Sequence, residues 1–281
     1  MESPDKPNWY EKDVKSINAD AQKLLERYSG FKPAEILPHV LSLRDEAFRV
    51  YHYPSIGQMR FLSINLPHIP FYNRVIERLR TNPSTSFLDA GCCFGQELRS
   101  LIDQGISGKQ LFGCDLEPVF IDLGYQLFRD KERLEATFAT GDLAAEDTKF
   151  AESQLSRTMS GKIDIIFASS LFHVWDYDTQ IRAAINLVRL CRDKPDVMIV
   201  GRQMGSRLGG HYQMHGVKDE ALHYRHNVET LKGFWRDIEA ATQTRWKFEA
   251  SFFEDEAVEQ TKKALPVDDN IAMICWCATR L

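Results

Sequence analysis

No apolar run in this chain approaches the roughly 20 residues that a membrane-spanning helix requires, so no span is expected. An excess of positive charge is missing too: 35 Lys and Arg face 40 Asp and Glu, a net charge of −5. Phosphate backbones call for a basic face, and nucleic acid is therefore not the expected partner. Cysteine is sparse and wrongly spaced for disulfides or zinc. None of the six (Cys92, Cys93, Cys114, Cys191, Cys275, Cys277) forms a C-x-x-C pair, and most lie in apolar stretches as small, reduced hydrophobes. The stretch from Met1 to Pro7 lacks the hydrophobic core of a signal peptide, which makes the cytoplasm the expected location. Histidines pair at His211-x-x-x-His215 and His223-x-x-His226, but no H-E-x-x-H or cysteine partner accompanies them. Gly209, Gly210 and Gly216 also interrupt any continuous helix there, and no metal site is expected.

What is present is ordinary globular composition, 43% hydrophobic and 27% charged over 281 residues, enough for one large core. From residue 85 onward, apolar runs fall at 86–91, 110–116, 136–142, 163–170, 196–204, 247–254 and 271–279. Helical patterns separate the first five; Ile181, Ile185 and Val188, for example, share one face. Pro118 sits at a helix start, where a missing N–H costs nothing. Such alternation predicts an α/β fold, a parallel sheet with helices on both faces. The last two runs follow one another without a clear helix between them and are expected to pair as a hairpin.

Residues 1–84 hold no comparable strand pattern. Val14, Ile17, Ala21, Leu24, Leu25 and Tyr28 fit one amphipathic helix, and Phe71, Val75, Ile76 and Leu79 fit another. An aromatic-rich connection runs between them from Tyr51-His52-Tyr53-Pro54 to Arg60-Phe61. The expected division is a helical lid over residues 1–84, packed on the strands' carboxyl edge, and a sheet domain over 85–281 with an insertion at 205–226. That insertion carries four of the eight histidines beside Arg207, Tyr212, Met214, Tyr224 and Arg225. Its aromatic content favours an ordered lid.

The stretch Phe87-Leu88-Asp89-Ala90-Gly91-Cys92-Cys93-Phe94-Gly95 is an apolar strand running into a carboxylate and a glycine turn. A helix follows, with Leu98, Leu101 and Ile102 on one face. Glycines let a ligand approach the backbone, and the helix end offers free N–H groups. Leu111-Phe112-Gly113-Cys114-Asp115 is a second strand ending in an acid, placed to accept from ribose hydroxyls. Thr140-Gly141-Asp142-Leu143 ends a third. Any one acid is also an ordinary cap or turn residue. Three at successive strand ends mark a nucleotide-like ligand. The glycine spacing departs from G-x-G-x-x-G, which argues against hydride transfer with a dinucleotide.

Asp89-x-Gly91-x-Cys93-x-Gly95 resembles motif I of the class I S-adenosylmethionine (SAM) methyltransferases, D-x-G-x-G-x-G, with Cys93 in place of the middle glycine. The resemblance implies a Rossmann-like, seven-stranded, mostly parallel sheet in the order 3-2-1-4-5-7-6 with an antiparallel final strand, and SAM as cofactor. It places Asp89, Gly91, Cys93 and Gly95 at the methionine part of SAM, Asp115 and Leu116 at the ribose, and Asp142 and the Leu143 N–H at the adenine. Ser169 borders the transferred methyl. Together with Tyr51-His52-Tyr53-Pro54, the double cysteine before Phe94 and Gly113-Cys114-Asp115-Leu116-Glu117-Pro118, most of the chain resembles fungal methyltransferases of meroterpenoid pathways, which esterify a carboxyl group on a farnesylated aromatic acid. That implies a monofunctional O-methyltransferase, homodimeric, acting on a hydrophobic acid.

The fourth strand opens into Ser169-Ser170-Leu171-Phe172-His173-Val174-Trp175. It lacks the N-P-P-Y or D-P-P-Y signature that family knowledge ties to amino groups on nucleic acid. His173 is a candidate general base for a phenol or alcohol, or a loop histidine that packs on Trp175 or caps the next helix. Tyr51, Tyr53, Phe172, Trp175, Arg202 and His211 are the candidate substrate-binding residues. A carboxylate is already ionised at neutral pH and needs no base. Methylation of a phenol or carbon would call on His173, and a SAM-binding homologue without catalysis is the third reading.

Overall fold

Five parallel strands form the centre of the structure: β1 (Phe87–Ala90), β2 (Leu111–Asp115), β3 (Thr137–Thr140), β4 (Ile165–Ser169) and β5 (Met198–Ser206). The computed structural model describes residues 7, 9–213, 222–264 and 267–281. A short antiparallel pair, β6 (Gly210–Gln213) and β7 (Leu222–Arg225), stands apart from the sheet. β8 (Trp246–Phe253) and β9 (Ile271–Arg280) complete the sheet in the order β3-β2-β1-β4-β5-β9-β8, with β9 antiparallel to both neighbours. Counting only strands of this sheet, the order is the expected 3-2-1-4-5-7-6.

Alternation along the strands builds two cores. Phe87, Ile165, Phe167, Met198 and Val200 face one layer, with α4 (Tyr72–Thr81) and α5 (Gln96–Asp103) packed on them. Leu88, Ala90, Ile166, Ala168 and Ile199 face the other, covered by α7 (Asp147–Glu152), α8 (Gln154–Met159), α9 (Tyr177–Leu190) and α10 (Val228–Thr242). Burial on both faces is why these strands read as unbroken apolar runs. α6 (Pro118–Phe128) begins at Pro118 as expected.

The N-terminal part packs as a third core. Trp9, Tyr10, Leu24, Leu25, Val40 and Phe48 cluster with Phe94, Phe120, Leu123 and Phe128 from the glycine turn and α6. Its helices are α1 (Ala19–Ser29), α2 (Pro33–Val50) and the single-turn α3 (Pro54–Gly57). Asn18 caps α1 by accepting from the Ala21 N–H at 2.8 Å, so Val14 and Ile17 precede the helix rather than belong to it. α2 was not foreseen, since Pro38 lies in its interior and reads as a breaker. A further helix, α11 (Glu256–Ala264), separates β8 from β9, where none was expected; the two strands still pair. The insertion at 205–226 contributes the β6–β7 pair, while Met214 and His215 lie outside the described residues. No helix among the described residues is long and apolar enough to cross a membrane.

One ion pair is sealed between these layers. Arg99 in α5 and Asp130 are both at most 1% exposed and meet twice, Nε to Oδ2 at 2.9 Å and Nη2 to Oδ1 at 3.0 Å. Tyr28 of the N-terminal part donates to the same Oδ2 at 2.8 Å. Arg99→Met should destabilise the protein by about 3–5 kcal/mol, because Asp130 is left charged, buried and short of its main partner. Urea unfolding checks this. The double variant Arg99→Met/Asp130→Leu should recover most of the loss, and a double variant as unstable as the single one would refute the electrostatic cause.

Candidate active site

The turn after β1 explains its own residues. Gly91, Cys93 and Gly95 all lie in the left-handed region, at φ 77°, 49° and 68°. Glycine adopts this conformation freely, whereas Cys93 pays about 1–2 kcal/mol for it. The turn is held from beneath: the Gly91 and Cys92 N–H groups both donate to the Cys114 carbonyl at 2.9 Å. Asp115 completes the hold, accepting from the Cys93 N–H at 2.8 Å and the Glu117 N–H at 3.1 Å. Arg99 Nη1 donates to the Phe94 carbonyl at 3.0 Å and the Gly95 carbonyl at 3.3 Å. A Cβ on residue 95 would lie 2.4 Å from that same Nη1, so Gly95 is required twice over.

Beyond the carboxyl ends of β1, β4 and β5 lies a cavity of about 840 Å³. Its chemistry divides into three parts. Asp89, Gly91, Cys93, Glu97 and Ser169 line the end nearest the glycine turn. Asp89 is 3% exposed, and its Oδ2 is buried without a hydrogen-bond partner. Burial, with the charges of Glu97 and Asp115 added, pushes its pKa well above the carboxylate range. Burial lifts Glu97 to about 7, against the Asn65 and Leu66 N–H groups that favour its ionised form. Arg60, His173, Arg202, His223 and Arg225 line it as well. Met204, Phe253, Ala257, Val267 and Met273 supply apolar lining, interleaved with Glu254, Asp255 and Glu256.

His173 stands within reach of the charges of Arg60, Arg202 and Arg225 on a single 3-10 turn, Phe172–Val174. Burial, and then the charges of His223, Arg225, Arg60 and Arg202, depress it to about 3. Its Nδ1 is buried with no partner. The cap of α9 is Asp176, which accepts from the Thr179 N–H at 2.8 Å, so the capping role considered for His173 does not hold.

The other candidates separate cleanly. Tyr53 and Arg202 line the cavity with His173, whereas Tyr51 is 47% exposed and sits against Tyr53 with ring centroids 5.4 Å apart. Phe172 does not reach the cavity: it is wholly buried between Phe234 and Trp276 in the sheet core. Trp175 packs against that same core, and its carbonyl accepts from Tyr224 N–H and Gln180 Nε2 at 2.9 Å. His211 lies on β6 beside Asp176, Tyr177 and Tyr224 in a shallow surface hollow. Phe172 lies on a 3-10 turn past the end of β4, and the strand conformation of β7 removes the helical alignment that the His223-x-x-His226 spacing would need, while His215, the partner of His211 in the other pair, lies outside the described residues.

Asp115, Leu116, Asp142 and Leu143 follow the open sheet edge at the ends of β2 and β3, outside the enclosed cavity. Leu116 is 59% exposed. Asp142 makes a turn contact, accepting from the Ala144 N–H at 2.8 Å, and the Leu143 side chain belongs to the core. Arg60, Glu97 and Asp255 line the cavity without having been singled out, because nothing in their spacing distinguishes them from surface charges. All six cysteines are free thiols.

A family model described as meroterpenoid methyltransferase N-terminal domain matches residues 9–62, the stretch that forms α1 to α3 and the turn bearing Arg60. The O-methyltransferase phiE of Fungal sp. (strain ATCC 74256) is 37% identical over 260 residues, which cover 90% of this chain and 84% of that protein. The asnovolin E/chermesin D methyltransferase nvfJ of Aspergillus novofumigatus is 32% identical over 269 residues, 94% of this chain and 90% of that one. Among solved structures, the 1,6-didemethyltoxoflavin-N1-methyltransferase of Burkholderia thailandensis, with 1,6-didemethyltoxoflavin and S-adenosylhomocysteine bound, matches at a TM-score of 0.51 and 14% identity over 87% of this chain and 90% of that chain, a likeness of fold alone. With the sheet order and the glycine turn already in place, these relatives settle the family: the chain belongs to the class I, SAM-dependent methyltransferases of the fungal meroterpenoid type.

Proposed function

We propose that this methyltransferase esterifies the carboxylate of a hydrophobic natural-product acid. The observation that carries the reading is the group of three arginines, Arg60, Arg202 and Arg225, that lines the same cavity as the glycine turn, beside a His173 that burial and then neighbouring positive charge hold near 3. An anionic acceptor suits that environment. A phenol does not, because an imidazole this acidic is a weak base for a proton whose ordinary pKa is about 10. The name O-methyltransferase, borne by phiE, supports oxygen as the acceptor atom.

The residues present fit SAM. Asp89 has a buried carboxylate oxygen with no partner, which suits the cationic amino-acid end of the ligand. The left-handed backbone at 91, 93 and 95 keeps side chains clear of it, and a Cβ at Gly91 would press on Leu171 at 3.2 Å. Asp115 would hold the ribose: each of its oxygens accepts one backbone N–H and keeps a further lone pair. Asp142 and the Leu143 N–H would take the adenine. When bound, SAM supplies a methyl group made electrophilic by its sulfonium. The chain's own work is then alignment and exclusion of water. The roof over the donor end is tied down where Glu97 accepts the Asn65 and Leu66 N–H groups and Gln96 Nε2 donates to the Ser63 carbonyl at 3.2 Å. Holding a nucleophile against the methyl carbon in a dry site supplies most of what the reaction needs, and no residue has to take a proton.

Two measurements follow. Asp115→Ala should weaken binding of S-adenosylhomocysteine by about 1–3 kcal/mol, seen by calorimetry. Unchanged affinity in a variant that still melts cooperatively would show that the pocket is misplaced. The second concerns pH. An acid with an ordinary pKa near 4 is ionised, and His173 at about 3 is neutral, throughout pH 6 to 9. Because Glu97 titrates inside that window, both substrates must be saturating. The rate constant should then be flat to within about twofold. A rise centred near 6.5 that disappears in His173→Ala would instead establish base catalysis.

A further inference from the structure

The cavity holds three arginines, and only one has charge to spare. Arg202 is paired with Asp255. Arg225 lies 4.0 Å from Asp268, and its Nε donates to His223 at 2.9 Å. Arg60 makes no ion pair among the described residues. Among the described residues its one side-chain hydrogen bond runs from Nη2 to Thr261 Oγ1 at 2.9 Å, and its Nε is buried without a partner. Asp255 and Glu11 act on it only at a distance, and burial is the largest influence on its pKa, a downward one. A guanidinium keeps its proton in such surroundings, so a part-buried cation with no ion pair among the described residues and a buried, unpartnered Nε faces the cavity.

Arg60 is also placed with care. Met59 takes the left-handed conformation at φ 53° to start the 3-10 turn Arg60–Leu62. The next residue, Phe61, stacks on Phe94 of the glycine turn with ring centroids 4.4 Å apart and an interplanar angle of 27°. The far end of Arg60 rests on Thr261 of α11, across the cavity. The same short turn therefore touches the donor end and presents a cation to the acceptor end.

We infer that Arg60 binds the carboxylate of the substrate, through Nε and the Nη groups that Thr261 leaves available, and so sets the preference for acids over neutral analogues. This rests on the carboxyl reading above. A planar guanidinium matches two carboxylate oxygens, one of which it can hold while the other faces the donor. In the transfer, a lone pair on that free oxygen forms the new C–O bond as the S–C bond of the donor breaks and its electron pair stays on sulfur. No proton moves. The ester is neutral, so Arg60 loses its partner when the bond forms, which favours release of product over retention.

The test compares a farnesylated hydroxybenzoic acid with its primary amide, titrated by calorimetry into protein saturated with S-adenosylhomocysteine. Binding of S-adenosylhomocysteine itself is measured first; its absence would sink the underlying methyltransferase-site reading, not this inference alone. The wild type should prefer the acid by roughly 10- to 100-fold, the range of a buried charge-assisted pair. Arg60→Gln should abolish that preference while leaving S-adenosylhomocysteine affinity unchanged, and Arg60→Lys, which keeps the charge without the fork, should restore part of it. Thermal melting of each variant shows whether it folds, and Arg60→Lys carries the comparison if Arg60→Gln does not. A wild type that binds the acid no better than the amide, or a preference that survives substitution of Arg60, overturns the assignment.

Discussion

The seat of Arg99 is the constraint on which the site depends. Its guanidinium spends two donors on Asp130 and one on the carbonyls of Phe94 and Gly95, and it lies 5.0–5.4 Å from the ring centres of Tyr125, Phe128 and Phe138. A charge so fully enclosed is tolerable only because every direction is answered. The consequence reaches outward. Fixing those two carbonyls fixes the left-handed turn, and the turn in turn presents Asp89 to the cavity and Phe94 to the N-terminal core. Asp130 also receives Tyr28, so helix α1, helix α5 and the turn share one anchor. The N-terminal segment is thus anchored to α5 and the glycine turn through one buried ion pair.

Charge is unevenly matched along the cavity. Asp89 and Glu97 line it beside the glycine turn with pKa values raised by burial, Glu254, Asp255 and Glu256 line it beside Phe253 and Ala257, and of its three arginines Arg202 is paired with Asp255 while Arg60 has no ion pair among the described residues. A cationic donor beside Asp89 and an anionic acceptor beside Arg60 would each offset charge the protein holds at a cost. His173 is the clearest product of that arrangement. The surroundings that favour an anionic acceptor also strip the imidazole of basicity, so the two enzyme readings compete for one electrostatic environment.

Much of the fold was legible because its signals are local. Strand runs in β1, β4 and the first half of β5 are apolar and buried on both faces, and the turn residues at 91 and 95 are glycines where the backbone demands them. Cys93 marks the limit: its left-handed φ is invisible until the neighbouring hydrogen bonds are seen. α2 was hidden by Pro38, an interior proline that the packing of Ile36, Val40, Leu43, Ala47 and Phe48 into the core outweighs. Substrate-side residues were read less well, for a physical reason. Whether Phe172 or Tyr53 faces a cavity is decided by tertiary packing, and whether Arg60, Arg202 or Arg225 is free depends on where distant acids fall. Asp255 and Asp268 are more than 40 residues from the arginines they neutralise. No spacing rule carries that information.

The carboxyl reading can be tested most directly on the product. A farnesylated hydroxybenzoic acid offers a carboxylate, a phenol and ring carbons to the same methyl donor. After incubation with SAM and enzyme, the methylated product is treated with mild alkali and weighed by mass spectrometry. A methyl ester is saponified and returns to the mass of the starting acid, which is the result expected of a cavity whose cations select an ionised acceptor. A product that keeps its methyl group through that treatment is an ether or a carbon-methylated ring, and would contradict the account.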